Sequence, residues 1–168
     1  MKVAKEQKIE DYVIRELSPG DRDRALELVK YCRDNGLEFV KDNGPCWKGK
    51  IYYWVTYRTE CVCFIAINDP DEPENRWTVW SDDMDGKYLA EHPVSDQIRE
   101  IAWRCVDKCG NCGSCGGGRR KTVFGREFDR VCGCTFRIDN PGEKEMAFIK
   151  KMVEIRIGEI EKASCHMS

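Results

Sequence analysis

The sequence holds no apolar run that approaches the ~20 residues needed to span a bilayer. Its opening, MKVAKEQKIEDYVIREL, lacks the apolar core and small-residue cleavage site of a secretory signal. These two absences argue against a membrane class and an exported one, and lead to the expectation of a cytoplasmic protein with no membrane partner. Histidine is scarce: His92 and His166 are the only two, and neither stands at ligand-like spacing to the cysteines. A catalytic zinc, which usually takes a His or carboxylate ligand and keeps a position open, therefore has little to work with here. No internal repeat is present, and no motif announces a reaction or a substrate.

What is there in quantity is cysteine and charge. The 168 residues are one domain's worth of chain, and 35% of them are charged. Disulfides do not persist in a reducing cytosol, and eleven cysteines, an odd number, do not complete a disulfide framework. Buried thiols, metal ligands and reactive thiols are the remaining explanations. Net charge is −2 but unevenly spread: residues 69–100 carry ten acids against three bases, and residues 105–138 carry seven bases against three acids. The basic segment is also the one with the densest cysteines.

The local patterns predict an α+β fold, a small antiparallel sheet packed with helices. YVIREL alternates as a first strand would. Ser18-Pro19-Gly20-Asp21 is a helix start, with Ser18 as N-cap and Pro19 in the first turn, and that helix stops at Asn35-Gly36. Cys32 lies on its apolar stripe as a buried thiol. Residues 51–57 and 61–67 form a hairpin around Arg58-Thr59-Glu60, and residues 76–80 form a third strand. Cys61 and Cys63, two apart, would share one face of their strand and pack in the core. The acidic stretch at 81–92 fails as a calcium loop. With Ser81, Asp83, Asp85 and Gly86 at positions 1, 3, 5 and 6, position 12 falls on His92 instead of a bidentate Glu. A helix opening at Pro93 and Ser95 carries Ile98, Ile101, Ala102 and Cys105 on one face and ends at Gly110. Short strands follow, turning at Gly125-Arg126. Asn140-Pro141-Gly142-Glu143 then caps a closing helix that reaches about Lys162. Residues 1–10 and 163–168 are expected to be disordered tails around a single domain at 11–162.

The cysteine-rich segment at about 105–138 is expected to be a zinc-ribbon-like subdomain. Structural zinc takes four ligands tetrahedrally, commonly as two C-x2-C-like pairs separated by some 15–20 residues. Cys112-x2-Cys115 is followed by Cys132-x-Cys134 at such a spacing. Gly113 and Gly116 stand where a metal knuckle needs a positive φ. Arg119, Arg120 and Lys121 could offset the charge of four thiolates. Five cysteines compete for four places: Cys109, Cys112, Cys115, Cys132 and Cys134. Zinc is the first expectation and an iron–sulfur cluster the alternative. Cys105-x3-Cys109-x2-Cys112 has the radical-SAM spacing, but the chain after it is far too short for that barrel, and a ferredoxin-type run is absent. A redox pair at CGNC is disfavoured, because Cys109 follows a helix and so meets the negative end of its dipole. The remaining reading is a set of unligated thiols.

Residues 90–160, through CGNCGSCGGGRRKTVFGREFDRVC and NPGEKEMAFIKKMVEIR, resemble a group of uncharacterised bacterial proteins. That group shares a C-x2-C-x2-C cluster, a Phe-Gly-x-x-Phe hairpin before a further Cys, and a closing basic-apolar helix. The resemblance implies a common fold and no known activity. Gly133-Cys134 lies outside its pattern, which favours Cys132 over Cys134 as a ligand. The functional expectation is a cytosolic protein with a structural Cys-ligated zinc, binding a protein or small-molecule partner. One alternative is nucleic-acid binding, with Phe124, Phe128 and Phe136 beside Arg119, Arg120 and Lys121. The other is an enzyme, since IRELSPGDRDRALELV resembles the opening of acyl-CoA-dependent N-acetyltransferases, although their Gly-rich pyrophosphate-binding turn is missing.

Overall fold

Apolar residues spaced for helices build one side of the molecule, and β-branched and aromatic runs build the other. The computed structural model describes residues 6–84, 86–110, 112–113 and 116–167. Among them are five helices and seven strands: α1 (Ile9–Glu16), α2 (Pro19–Asp34), β1 (Glu38–Lys41), β2 (Ile51–Tyr57), β3 (Glu60–Ile67), β4 (Trp77–Ser81), α3 (Lys87–Glu91), α4 (Asp96–Arg104), β5 (Val106–Lys108), β6 (Arg119–Val123), β7 (Arg126–Asp139) and α5 (Glu143–Cys165). The strands make one antiparallel sheet in the order β1-β2-β3-β4-β7-β5, with β6 also paired to β7. The α+β expectation holds.

The first strand does not. YVIREL is helical because Ile9, Val13 and Leu17, four apart, are its buried residues, whereas Ile14, which an alternating strand would turn inward, is 51% exposed. Asp11 accepts the Lys8 backbone N–H at 3.0 Å and helps close the first turn. α2 follows the expected limits, with Ser18 at its N-cap and Gly36 at φ +79 after it. The Ser18 hydroxyl is turned to the Asp21 carboxylate at 3.2 Å, and Asp21 in turn binds Arg76 and Arg24, joining the start of α2 to the approach to β4. Arg58 and Thr59, both at positive φ, form the two-residue turn of the β2–β3 hairpin.

The sheet's two faces differ in chemistry. All five helices contribute to the main core, together with Tyr53, Val55, Cys63, Ile65, Ile67, Trp77, Val79, Phe136 and Ile138 of the sheet. On the opposite face Tyr52, Phe64 and Ala66 form a second cluster with Trp47, from a short 3-10 turn at Pro45–Trp47, and with Cys61, Trp80 and Cys134; none of these residues belongs to the five α-helices. A β-bulge separates the two thiols of β3: the register moves from Val55↔Cys63 to Thr56↔Cys61. The extra residue changes the alternation, so Cys63 enters the main core and Cys61 the second cluster, contrary to the expectation that they share a face.

α4 stops at Arg104, well before Gly110, because the chain turns at Cys105 into β5. Its start is as expected, with the Ser95 hydroxyl accepting the Ile98 N–H at 3.2 Å. The β6–β7 turn is at Phe124-Gly125, both at positive φ, and docks on the end of α3: Phe124 N–H reaches the Leu89 carbonyl at 2.8 Å and Gly125 N–H the Ala90 carbonyl at 3.1 Å. α5 begins two residues later than its sequence cap, with Glu145 accepting the Gly142 N–H at 3.1 Å, and continues past Lys162 to Cys165.

Candidate functional site

The long strand β7 organises the cysteine-bearing segment. β4 pairs with its second half, at Arg137, Ile138 and Asp139, and β5 occupies the other edge of the strand. β6 pairs with the first half. Asp83, just past β4, binds both Arg119 and Lys121 of β6, so β6 lies on the β4 side. Lys108 of β5 and Arg119 of β6 are nevertheless both in register with Val131. Residues 109–118 must therefore carry the chain from one edge of β7 to the other.

Glycine makes that crossing close. Gly118 has φ +81, and a Cβ there would lie 2.7 Å from the Arg130 carbonyl carbon and 2.8 Å from the Val131 oxygen. At the other end, the Cys109 N–H donates to the Arg130 carbonyl at 2.8 Å. Val131 is fully buried yet belongs to neither hydrophobic cluster. A cavity of about 300 Å³ lies beside it, lined by Asp83, Gly116, Gly118, Arg119, Val131 and Gly133.

A buried polar network holds β7 where it kinks. Thr135, at φ +58, is a β-branched residue in the left-handed region. Its hydroxyl accepts the Met84 N–H at 3.1 Å and the Lys121 ammonium at 2.6 Å, and donates to the Met84 carbonyl at 3.0 Å. Ser81 bridges the same kink, donating to the Cys134 carbonyl and accepting the Phe136 N–H at 3.1 Å. Burial works against ionisation of Asp83, but Lys121 and Arg119 outweigh it and hold the carboxyl below its usual range. Lys121, whose side chain is fully buried, is thus a structural cation.

Cys132 and Cys134 lie inside this strand, not on a turn, so the C-terminal pair forms no second knuckle. Burial works against ionisation of Asp107 on β5, the strand that flanks this part of β7, and raises its carboxyl above the usual range. The Lys108↔Val131 register and the Cys109–Arg130 hydrogen bond place Cys109 opposite Arg130, so that Cys132 is one diagonal step away across the β5–β7 pair. Cys134 packs instead in the aromatic cluster, where burial and the neighbouring Cys132 push its thiol up to about 12. Burial raises Cys61 to about 12 and Cys105, at the end of α4, to about 11. Cys112 is exposed on the crossing. Cys115 lies outside the described residues, as does Asp85 of the rejected calcium pattern. Among the described residues no three His, Cys, Asp or Glu side chains converge as a metal site.

The basic–aromatic set expected for nucleic acid does not assemble. Phe124 and Phe136 are core residues, Lys121 is buried, Arg119 binds Asp83, and Arg120 pairs with Asp129 and Glu127. Sequence reasoning missed Asp107, Thr135 and Trp103. Asp107 was hidden because the helix was carried through it to Gly110, and Thr135 gives no sign in sequence of its positive φ. No helix among the described residues is long and apolar enough to cross a membrane. Comparison with protein-family models, with curated proteins and with solved structures finds no match to this chain.

Proposed function

We propose that this protein is a Cys-ligated zinc protein in which the metal fastens the crossing at 109–118 to β7, leaving the α+β body to engage a partner. Cys109, Cys112, Cys115 and Cys132 are the ligands. The observation that carries the reading is the placement of Cys109 and Cys132 at diagonal positions of paired strands, at the point where the crossing begins. Two Zn–S bonds of about 2.3 Å at a tetrahedral angle need sulfurs about 4 Å apart, which two thiols leaning toward each other from diagonal positions can reach. Cys134 stands about 7 Å further along the strand and is committed to an apolar cluster whose burial opposes the thiolate. It is therefore the weaker fourth ligand. Asp107, on the neighbouring strand β5, would act from outside the metal to orient that sulfur.

Metal analysis of the purified protein tests this directly. About one zinc per chain, with no absorption near 400 nm, is expected for four thiolates on one metal. Cys132→Ser lowers the metal content and Cys134→Ser leaves it intact. A brown protein overturns the reading in favour of an iron–sulfur cluster. A metal-free protein whose stability is indifferent to chelator removes the metal altogether.

A further inference from the structure

The end of α4, β5 and the β6–β7 hairpin meet in a stack of alternating cations and aromatic rings. The Arg99 guanidinium lies 5.8 Å from the centre of the Trp103 ring. Arg126 follows, 5.4 Å from Trp103 and 5.0 Å from the Phe128 ring. The Lys108 ammonium closes the row, 5.2 Å from Phe128. The Trp103 indole N–H donates to the Val123 carbonyl at 2.8 Å, which fixes the ring against β6.

These cations lack balancing acids. Arg99 is paired with Asp96, but among the described residues no carboxylate lies within ion-pair distance of Lys108, Arg126 or the neighbouring exposed Arg104. Lys108 reaches only the Asp129 carbonyl, at 3.0 Å. The two hairpin acids, Glu127 and Asp129, alternate to the opposite face and are taken by Arg120. A cation–π contact at a surface contributes about 0.5–1 kcal/mol, which accounts for the rings being covered. It does not account for two uncompensated positive charges, Lys108 and Arg126, gathered on one face of a chain whose net charge is −2.

We propose that the face formed by Trp103, Lys108, Arg126 and Phe128 docks single-stranded nucleic acid. The uncompensated cations take backbone phosphates, and the half-buried rings, with Arg126 between them, offer planes on which unstacked bases can lie. An acidic peptide would meet the charge but would not use the planes. A duplex would present its phosphates but keep its bases stacked inside. Of the set expected from the sequence, Phe124, Phe128 and Phe136 beside Arg119, Arg120 and Lys121, this face retains only Phe128, and it stands independently of the zinc reading.

The test is fluorescence anisotropy of the full chain, as purified, with a labelled single-stranded RNA of about a dozen nucleotides, a length within the range such sites cover. Binding at low salt should weaken with a log–log slope of about −1.4, as expected for two phosphate contacts on a single strand. Lys108→Gln/Arg126→Gln should reduce affinity at least tenfold and flatten the slope, with the thermal midpoint of the double variant checked alongside. Arg126→Lys, which keeps the charge and loses the planar stack, should fall between. Four outcomes overturn the proposal: no binding at low salt, affinity unchanged in the double variant, equal binding of polyglutamate, or equal binding of the corresponding duplex. If the double variant proves unfolded, Phe128→Leu with Arg126→Lys provides the same reading through the stacking planes alone.

Discussion

The N-terminal half of the sheet and its cysteine-bearing end are held by different means. Strands β2, β3 and β4 are secured by side chains: Ile65, Ile67, Trp77 and Val79 are buried against the helices, and the hairpin closes on a two-residue turn. The β5–β6–β7 end depends on backbone. Its crossing is tight because Gly118 has no side chain, its kink holds because the Thr135 hydroxyl is saturated, and its outer strands carry few residues of the main core. A region short of buried side chains needs some other tie, and the thiols stand at that place. The two halves should accordingly respond to different insults.

The largest effect belongs to the side-chain half. Trp77 of β4 is among the largest fully buried side chains of the main core. Trp77→Ala should cost about 3–5 kcal/mol in denaturant unfolding, the usual range for a large aromatic removed from a core. A loss below 1 kcal/mol would mean that packing is not what holds this half.

Asp21 comes next. Its hydrogen bond from Arg76, reinforced by Arg24 and Ser18, holds its carboxyl below the usual carboxylate range against the opposing effect of burial. A folded pKa below the unfolded one stabilises the protein above about pH 4, where an unfolded Asp is ionised, and this contribution is lost as pH falls through the folded value. Asp21→Asn should cost about 1.5–3 kcal/mol at neutral pH, as for hydrogen bonds to a charged group. Its unfolding free energy should then fall less steeply than wild type between pH 4 and 2. Parallel acid limbs would show that the carboxylate is not coupled to folding.

Gly118→Ala probes the backbone half. An alanine there would combine a left-handed φ with a carbonyl contact near 2.7 Å, so about 1–3 kcal/mol should be lost. The sharper readout is metal content. If the crossing exists to bring thiols together, zinc should drop in Gly118→Ala and stay constant in Trp77→Ala variants that remain folded.

Thiol reactivity separates exposed from core positions within the N-terminal half without mutation. At pH 8, iodoacetamide should modify exposed Cys46 in the native protein. Cys32, which burial pushes to about 12, and fully buried Cys63 should react only after unfolding. The smallest effect is the control: Ile14→Ser on the outer side of α1 should change stability by no more than about 0.5 kcal/mol, because the adjacent Val13 is the buried one.

The same division governs how much could be read in advance. α2, β2, β3 and β4 were legible because periodicity and turn chemistry there coincide with burial: Ser18-Pro19 starts a helix, Asn35-Gly36 ends it, and the apolar runs are strands. YVIREL misled because six residues fit both periods, and only the placement of Ile9 and Leu17 decides between them. The bulge that parts Cys61 from Cys63 leaves no mark in composition. At the candidate site, the cysteines and the glycines of the crossing were visible, but their meaning depends on β5 and β6 flanking the same residue of a strand that comes after both. That is long-range topology, and spacing does not encode it.

The position of β7 has a consequence for how the chain is made. The last strand to be synthesised lies between β4 and β5 and is the partner of β6 as well. While the chain emerges from the ribosome, the hairpin of β2 and β3 can close at once, but β5 and β6 have nothing to pair with until residues 126–139 appear. During that interval β4 is an open edge and the thiols of the crossing are unanchored, which is when a nascent chain is most exposed to mispairing. Completion of the sheet therefore waits until β7 has emerged, and α5 follows directly to cover it.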